Sequence, residues 1–209
     1  MIVITADQID GRNSPDVAGE AIAFVNGRFS DHLPLPADRT AGDEIQALVD
    51  AGRPALDIAL ALSRSGRWSV GIGIGGVREP LGRDIRELTG DAFISARTAV
   101  ERAKKRATRF ALASTAAPAE ASDLEALVDL LLILRARRSE QGWEMRDLVS
   151  RGLTQADAAT ELGITPQSAS KRVRTADLRA EDAAIGPLAR LVDALDAGFA
   201  VSAHGNERA

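Results

Sequence analysis

The sequence contains no cysteine, which excludes disulfide bonds, thiolate zinc sites and a cysteine nucleophile. Aromatic residues make up only 3% of the chain, so alanine, leucine, isoleucine and valine must supply most of the core. No apolar run approaches the roughly 18 residues that would span a membrane, and the first seven residues lack the basic segment of a signal peptide. We therefore expect a cytoplasmic protein without a membrane partner.

A shift in composition divides the chain into two parts. Apolar residues make up 45% of the 209 residues, which is enough for one large packed domain or two small ones. The stretch 114–122 is rich in small residues and contains Pro118, which is typical of a linker. The sequence therefore predicts one domain over residues 1–113 and a second over residues 122–209.

The first part alternates between strand-like and helix-like patterns. Apolar runs and period-two patterns predict strands at Ile2–Ala6, Glu44–Val49 and Trp68–Ile74, with a hairpin turn at Gly42 before the second of these. In the last predicted strand, glycines alternate with Val70, Ile72 and Ile74. The glycine face would allow another backbone or a ligand to approach the strand closely. Helical patterns from about Pro15 to Val25 and from Pro54 to Gly66 lie between these strands. The resulting order βαββαβ is the ferredoxin-like plan, with the first strand central in an antiparallel sheet. The predicted fold class is thus α+β: a ferredoxin-like domain followed by an all-α domain.

The second part shows only helical patterns. Leucines at helical spacing predict a long helix over Asp123–Arg138, and a shorter helix follows at Trp143–Ser150. Pro187 after Gly186 is expected to open a last helix, and the tail after Val201 is expected to be loose. Leucine stripes at 124–134 and 188–199 suit a dimer interface, and core burial explains the first stripe as well.

A helix-turn-helix pattern occupies residues 153–175. Thr154 and Asp157 have the spacing of a capping box at the start of a first helix. Gly163 adopts a left-handed turn at little cost. Thr165 is then the expected cap of a second helix, with Pro166 at its first position. Small or aliphatic residues at inward positions would let the two helices cross closely.

The outward side of the second helix carries side chains suited to DNA. These are Thr165, Gln167, Ser168, Ser170, Lys171, Arg172 and Arg174. Gln167, Ser168 and Lys171 are expected to reach base edges in the major groove. Arg172 and Arg174 are expected to hold phosphates. The alternatives are a solvated helical hairpin and a hairpin that binds a protein partner.

Charge supports the DNA-binding interpretation locally. The whole chain has a net charge of −4, but between residues 165 and 180 four basic side chains stand against one acidic side chain. DNA binding needs such a local basic face rather than a basic average. Because helix-turn-helix proteins usually bind paired half-sites, the expected partners are double-stranded DNA and a second copy of the chain.

Two carboxylates in the first part are candidates for a metal site. Asp7 ends the first predicted strand, and Asp43 follows Gly42 in the hairpin. A ferredoxin-like sheet would make these positions neighbours, where they would share Mg²⁺ with a phosphate ligand such as a nucleotide. The alternative is that both are ordinary strand-end and turn residues.

Several segments in this order resemble the SatD-like family of bacterial proteins. They are Val3–Asp7, Thr40–Gln46, Trp68–Gly75 and Gly90–Arg97, followed by the helix-turn-helix pattern. The resemblance covers roughly residues 1–175. The first domain is also similar, more distantly, to the catalytic domain of class III nucleotide cyclases. In that family an aspartate on the first strand and one in a Gly-Asp hairpin hold two metals, and Asp7 and Asp43 match those positions.

The match departs from the cyclase pattern at two residues. Ile94 and Thr98 stand where the cyclases place an asparagine that positions ribose and an arginine that stabilises the transferring phosphate. Isoleucine cannot donate a hydrogen bond and threonine carries no charge, while Arg97 would point about 100° away around a helix. The resemblance implies a domain without catalytic activity that senses a nucleotide or serves dimerisation. The alternative function is a metal-dependent nucleotide cyclase or phosphotransferase.

Overall fold

The computed structural model describes residues 1–11 and 15–206, and for Ala41 and residues 199–206 it describes the backbone alone. The fold is mixed α+β, and none of the described helices has the length and apolar composition needed to cross a membrane. The described strands form one sheet: β1 (Ile2–Gln8), β2 (Asp38–Ala41), β3 (Glu44–Val49), β4 (Trp68–Ile74) and β5 (Phe110–Ser114). The described α-helices are α1 (Ala18–Phe29), α2 (Gly52–Arg64), α3 (Asp91–Ala103), α4 (Pro118–Ala136), α5 (Glu140–Ser150), α6 (Gln155–Glu161), α7 (Pro166–Thr175) and α8 (Leu178–Asn206).

The sheet has the strand order β2-β3-β1-β4-β5. β1 lies between β3 and β4 and is antiparallel to both, so Asp7 is opposite Glu44 on one side and Ser69 on the other. β5 is parallel to β4 and follows it through α3. The predicted bounds of β3 and β4 are confirmed. β1 is longer than predicted and continues to Gln8, so Asp7 lies inside the strand, one residue before its end.

One face of β4 is a row of glycines that lies directly under α3. A Cβ atom on Gly73 would be 2.1 Å from the backbone nitrogen of Ala96, and one on Gly71 would be 2.3 Å from that of Val100. Only hydrogen fits in these gaps. The glycines therefore admit another backbone, as expected. The alternating apolar residues of β4 are buried in the main core: Val70, Ile72 and Ile74.

The main core contains the apolar residues of α1, α2, α4 and α8 together with those of the sheet. The contributions of α4 and α8 are Leu124, Val128, Leu131, Leu132, Ile185, Leu188 and Val192. α4 thus packs with the sheet, although the sequence analysis assigns it to a separate domain beginning at residue 122. A leucine period predicts that a helix buries one side, but it does not identify the element against which that side packs.

The segment 114–122 is not an extended linker. Ser114 is the last residue of β5, and α4 begins at Pro118, five residues before the predicted start at Asp123. β5 itself was absent from the predicted elements. Its apolar run, Phe110–Ala113, is short and half alanine, so neither its length nor its propensity distinguishes it from a loop.

A second, smaller core is enclosed by α5, α6, α7 and the start of α8. Its buried members are Met145, Leu148, Ala158, Ala159, Ala169, Val173, Ala176 and Leu178. α8 joins both cores, because Leu178 belongs to the second while its later turns belong to the main one. The predicted start of the last helix is wrong, since α8 already begins at Leu178 and Pro187 lies inside it. The helical backbone continues to Asn206, and the rest of the tail predicted to be loose, residues 207–209, lies outside the described residues.

Candidate nucleic-acid interface

α6 begins with the predicted capping box. The Thr154 side chain accepts a hydrogen bond from the Asp157 backbone N–H at 3.2 Å, and the Asp157 carboxylate accepts one from the Thr154 backbone N–H at 3.3 Å. These bonds satisfy N–H groups that the first turn of a helix leaves unpaired. This end of the candidate interface is therefore set by local sequence.

The connection from α6 to α7 also follows the sequence expectation. Gly163 has φ +62°, the left-handed conformation that glycine adopts without a Cβ penalty. The Thr165 side chain caps α7 by accepting a hydrogen bond from the Ser168 backbone N–H at 3.2 Å. Pro166 occupies the first turn, where its missing N–H has no cost. The geometry of this turn fixes where α7 starts and in which direction it runs.

Small buried side chains hold α6 and α7 together. Ala158 and Ala159 on α6 and Ala169 and Val173 on α7 are all buried, as predicted from their spacing. Met145 of α5 is fully buried in the same cluster. Because this side of α7 packs inward, its opposite side is presented to solvent.

The outer stripe of α7 consists of Gln167, Lys171 and Arg174. Their spacing of four and then three residues places them on one line along the helix, nearly opposite Ala169 and Val173. All three residues are exposed. Among the described residues, no carboxylate forms an ion pair with Lys171 or Arg174, so both charges are available to an outside ligand.

The remaining predicted contacts occupy other positions. Thr165 and Ser168 are exposed but bond to each other, with a hydroxyl–hydroxyl distance of 3.0 Å at the helix cap. Ser170 is exposed on the flank of α7. Arg172 is turned toward α5, where its Nη1 donates to Glu144 at 2.9 Å. Its predicted phosphate contact would require this ion pair to open.

A buried charge cluster joins the second core to the main body. Glu181 on α8 is fully buried and forms ion pairs with Arg135 and with Arg138, the latter at 2.5 Å. Arg138 also donates from Nε to the carbonyl of Ala176 at 3.0 Å, close to the end of α7. Burial lowers the pKa of the Arg135 guanidinium from its usual value, while the Glu181 carboxylate opposes that shift. We name Arg135, Arg138 and Glu181, with Arg64 and Trp143, the junction cluster.

Trp143 is the aromatic centre of the junction cluster. The guanidinium carbons of Arg64, Arg138 and Arg135 lie 4.1, 4.4 and 4.9 Å from the centroid of its ring. Cations over an aromatic face are attracted by its quadrupole. The sequence analysis missed this cluster, because its members are scattered over residues 64–181 and no local spacing connects them.

A cavity of about 830 Å³ opens beside the junction cluster. Its polar lining includes Arg64, Arg109, Arg135 and Arg137 together with Trp143, and none of its lining residues is acidic. Arg64 and Arg135 are neutralised by Asp147 and Glu181. Arg109 and Arg137 form no ion pair within the described residues, so the cavity is electropositive and of a size suited to a small anionic ligand.

The predicted metal residues Asp7 and Asp43 lie at adjacent places in the sheet. Asp7 is opposite Glu44, the residue that follows Asp43. The Asp7 carboxylate is in an ion pair with Lys104 Nζ at 2.9 Å. Burial opposes the charge on Lys104, but hydrogen bonds to Asp7 and Glu101 outweigh it and raise the pKa of the Lys104 ammonium.

Asp7 and Glu44 are already neutralised by protein cations. Glu44 is buried and accepts a hydrogen bond from Arg97 at 2.5 Å, and Asp7 is held by Lys104. A divalent ion at Asp7 would have to displace an ammonium group and bind near a guanidinium. The residues present therefore do not fit a two-metal site, and the metal assignment of Asp7 and Asp43 gains no support from their surroundings.

Ile94 and Thr98 both lie on the exposed side of α3. Arg97 is also exposed, but it is engaged by Glu44 and approaches Glu101 at 4.0 Å. The cationic group that a cyclase would direct at a phosphate is thus absent at Thr98, and Arg97 is committed to carboxylates of the chain.

Comparison of the chain with protein-family models, with curated proteins and with solved structures finds no match.

Proposed function

We propose that this protein is a sequence-specific DNA-binding transcriptional regulator that acts in the cytoplasm as a homodimer. The observation that carries the proposal is the outer stripe of α7, in which Gln167, Lys171 and Arg174 are exposed on a short helix that begins at a glycine bend. In this interpretation α6 and α7 form a helix-turn-helix, and α7 enters the major groove. The resemblance to the SatD-like family and the ferredoxin-like description of β1 to β4 stay predictions.

Each of the three side chains of the stripe would make a different contact with DNA. Gln167 lies near the start of α7, where the amide can bond both edge atoms of an adenine. Lys171 lies one turn further and would donate to a guanine or a phosphate. Arg174 lies near the end of the helix and would hold a phosphate, which positions α7 without reading sequence.

Binding to mapped genomic sites tests the proposal. Lys171→Ala with Arg174→Ala should weaken binding and reduce the slope of log affinity against log salt by about 1 if only Arg174 holds a phosphate, or by about 2 if Lys171 also holds one, since each lost phosphate contact removes about 0.9. Gln167→Ala should instead reduce discrimination between the site and a one-base variant by about 1–3 kcal/mol. Fluorescence anisotropy over a salt series measures both quantities.

Two arginine variants serve as controls in the same assay. Arg172→Ala should have a smaller effect than Lys171→Ala, because Arg172 is paired with Glu144. Arg83→Ala removes an exposed charge between β4 and α3 and should leave binding unchanged. Specific binding that survives Gln167→Ala, Lys171→Ala and Arg174→Ala together would show that α7 does not read DNA.

Ligand sensing is a second candidate function, favoured by the electropositive cavity beside the junction cluster. A nucleotide or other small anion bound there would contact both the main body and α5. Titration calorimetry with ATP and GTP, with and without Mg²⁺, should show that the nucleotide binds and is not turned over. Arg109→Ala should weaken this binding. Turnover abolished by Asp7→Ala would instead support the alternative of a metal-dependent cyclase or phosphotransferase.

A further inference from the structure

α4 carries an apolar ridge on the side that faces away from the sheet. Leu130 is 65% exposed, and Leu127 and Ile133 are 45% and 43% exposed. Leu191 of the neighbouring helix α8 is 45% exposed and lines a groove with Leu127. Scattered exposed leucines are ordinary, but a contiguous apolar patch on two packed helices is typical of an interaction surface.

The main core does not account for this ridge. The buried side of α4 consists of other residues, Leu124, Val128 and Leu131, which belong to the main core. At 100° per residue, Leu130 points about 160° away from Val128. The chain therefore maintains two apolar sides on one helix, and only one of them has a partner in the described structure.

The charges at the two ends of the ridge are complementary. Asp123 lies seven residues before Leu130, and Arg137 lies seven residues after it. Both are exposed, and neither forms an ion pair within the described residues. Seven residues are close to two helical turns, so Asp123 and Leu130 share one side of α4, and Arg137, the C-cap residue directly after the helix, continues the same line. The ridge is thus acidic at its start, apolar at its centre and basic at its end.

We infer that this ridge is a homodimer interface in which two α4 helices pack antiparallel across a two-fold axis at Leu130. That axis brings Asp123 of each copy to Arg137 of the other, and Leu127 to Ile133. A two-fold interface requires a self-complementary patch, and a helix side with opposite charges at equal distances from an apolar centre meets that requirement. Helix pairs pack about 8–10 Å apart, which would bury all three aliphatic side chains.

This inference rests on the proposed function for its expectation of a dimer. The apolar ridge and the charges at its ends do not depend on DNA binding. Each copy would contribute α4 and the adjoining part of α8, including Leu191, to a four-helix contact. α7 belongs to the second core rather than to this contact. The outer stripe of α7 would therefore stay accessible in both copies.

Sedimentation equilibrium of the full chain without DNA tests the interface. The chain should be a dimer, and Leu130→Lys should raise its dissociation constant by roughly a hundredfold or more, because two ammonium groups would meet at the axis. Ile94→Lys is the matched control, since Ile94 is 59% exposed on α3 and should leave the dimer intact. A chain that is monomeric at about 100 μM, or a dimer unaffected by Leu130→Lys, overturns the inference.

Charge reversal tests the register of the two helices. Asp123→Lys or Arg137→Glu alone should weaken the dimer by roughly tenfold, because each places like charges together. The two changes combined should restore the dissociation constant to within about threefold of the parent. A double variant that is weaker than either single variant would contradict the antiparallel pairing.

The absence of cysteine permits a direct check of the axis. Leu130→Cys should form a disulfide-linked dimer on mild oxidation, because residues at a two-fold axis face their own copies. Ile94→Cys should remain largely uncrosslinked under the same conditions. If these tests fail while DNA binding by the outer stripe of α7 persists, the dimer surface is wrong and the regulator proposal stands. If the dimer tests succeed while α7 fails to bind DNA, the dimer surface stands and the regulator proposal is wrong.

Discussion

Glu181 shows how much one buried residue constrains this protein. It has no solvent exposure and is bonded to Arg135 on α4 and to Arg138 in the turn before α5. A carboxylate and two guanidinium groups lose their hydration when they are buried, and their mutual contacts offset that loss only while all partners remain. The junction cluster is therefore sensitive to the removal of any single charged member.

Glu181→Ala should lower the free energy of unfolding by about 3–5 kcal/mol, since it leaves two buried arginines without their shared carboxylate. Urea unfolding followed by circular dichroism measures the change. Glu161→Ala is the surface control, and its effect should stay within about 0.5 kcal/mol, because Glu161 and its partner Arg151 are both about half exposed. Equal losses in the two variants would show that the buried cluster contributes no more than a surface ion pair.

At the scale of elements, the contact of α3 with β4 depends on glycine. The glycines of β4 lie against the alanines of α3, and the helix backbone approaches the strand so closely that a Cβ on Gly71 or Gly73 would clash with it. The period-two pattern of β4 indicated a face made of glycines, but it left open whether a ligand or another backbone approaches that face. In the structure, the backbone of α3 packs on it.

Gly73→Ala should destabilise the protein by about 1–3 kcal/mol or more, because the new methyl group would clash with the backbone of α3 rather than with a mobile side chain. Gly27→Ala on α1 is the matched change, since a Cβ there meets nothing within 4 Å. Removing a helical glycine should stabilise the protein by about 0.5–1 kcal/mol. Thermal unfolding of both variants provides the comparison, and a stable Gly73→Ala protein would argue against the close packing.

At the scale of the whole molecule, the two cores do not coincide with the two predicted domains. α4 and most of α8 complete the main core, while α5 to α7 form a smaller core between them in sequence. The chain thus leaves the main body after α4, builds the second core, and returns through α8. Movement of α7 relative to the sheet would have to act through the junction cluster and α8.

A fragment of residues 1–113 should therefore fail to fold as a stable domain. It would lack α4, which packs against β5, so the buried side chains of Phe110 and Leu112 on that strand would be exposed to water. Amide NMR dispersion of the fragment, compared with the full chain, measures the outcome. A well-dispersed, cooperatively unfolding fragment would support the predicted boundary over the observed packing.

The candidate interface was largely predictable because its geometry is local. The caps at Thr154 and Thr165, the bend at Gly163 and the inward positions of α6 and α7 each depend on residues within four positions of one another. The commitment of Arg172 to Glu144 was not predictable, because the two residues are 28 positions apart and meet only after α5 and α7 have packed. An even larger separation in sequence concealed the pairing of Asp7 with Lys104.

The sequence by itself determined the local features: the strands β3 and β4, the glycine face, and the exposed outer stripe of α7. These follow from side-chain period, capping chemistry and backbone freedom, which act over a few residues. Only the tertiary structure decided that α4 belongs to the sheet, that protein cations neutralise Asp7 and Glu44, and that Glu181 joins the two cores. Those outcomes depend on which surfaces meet, and packing free energy is set by contacts between residues far apart in the chain.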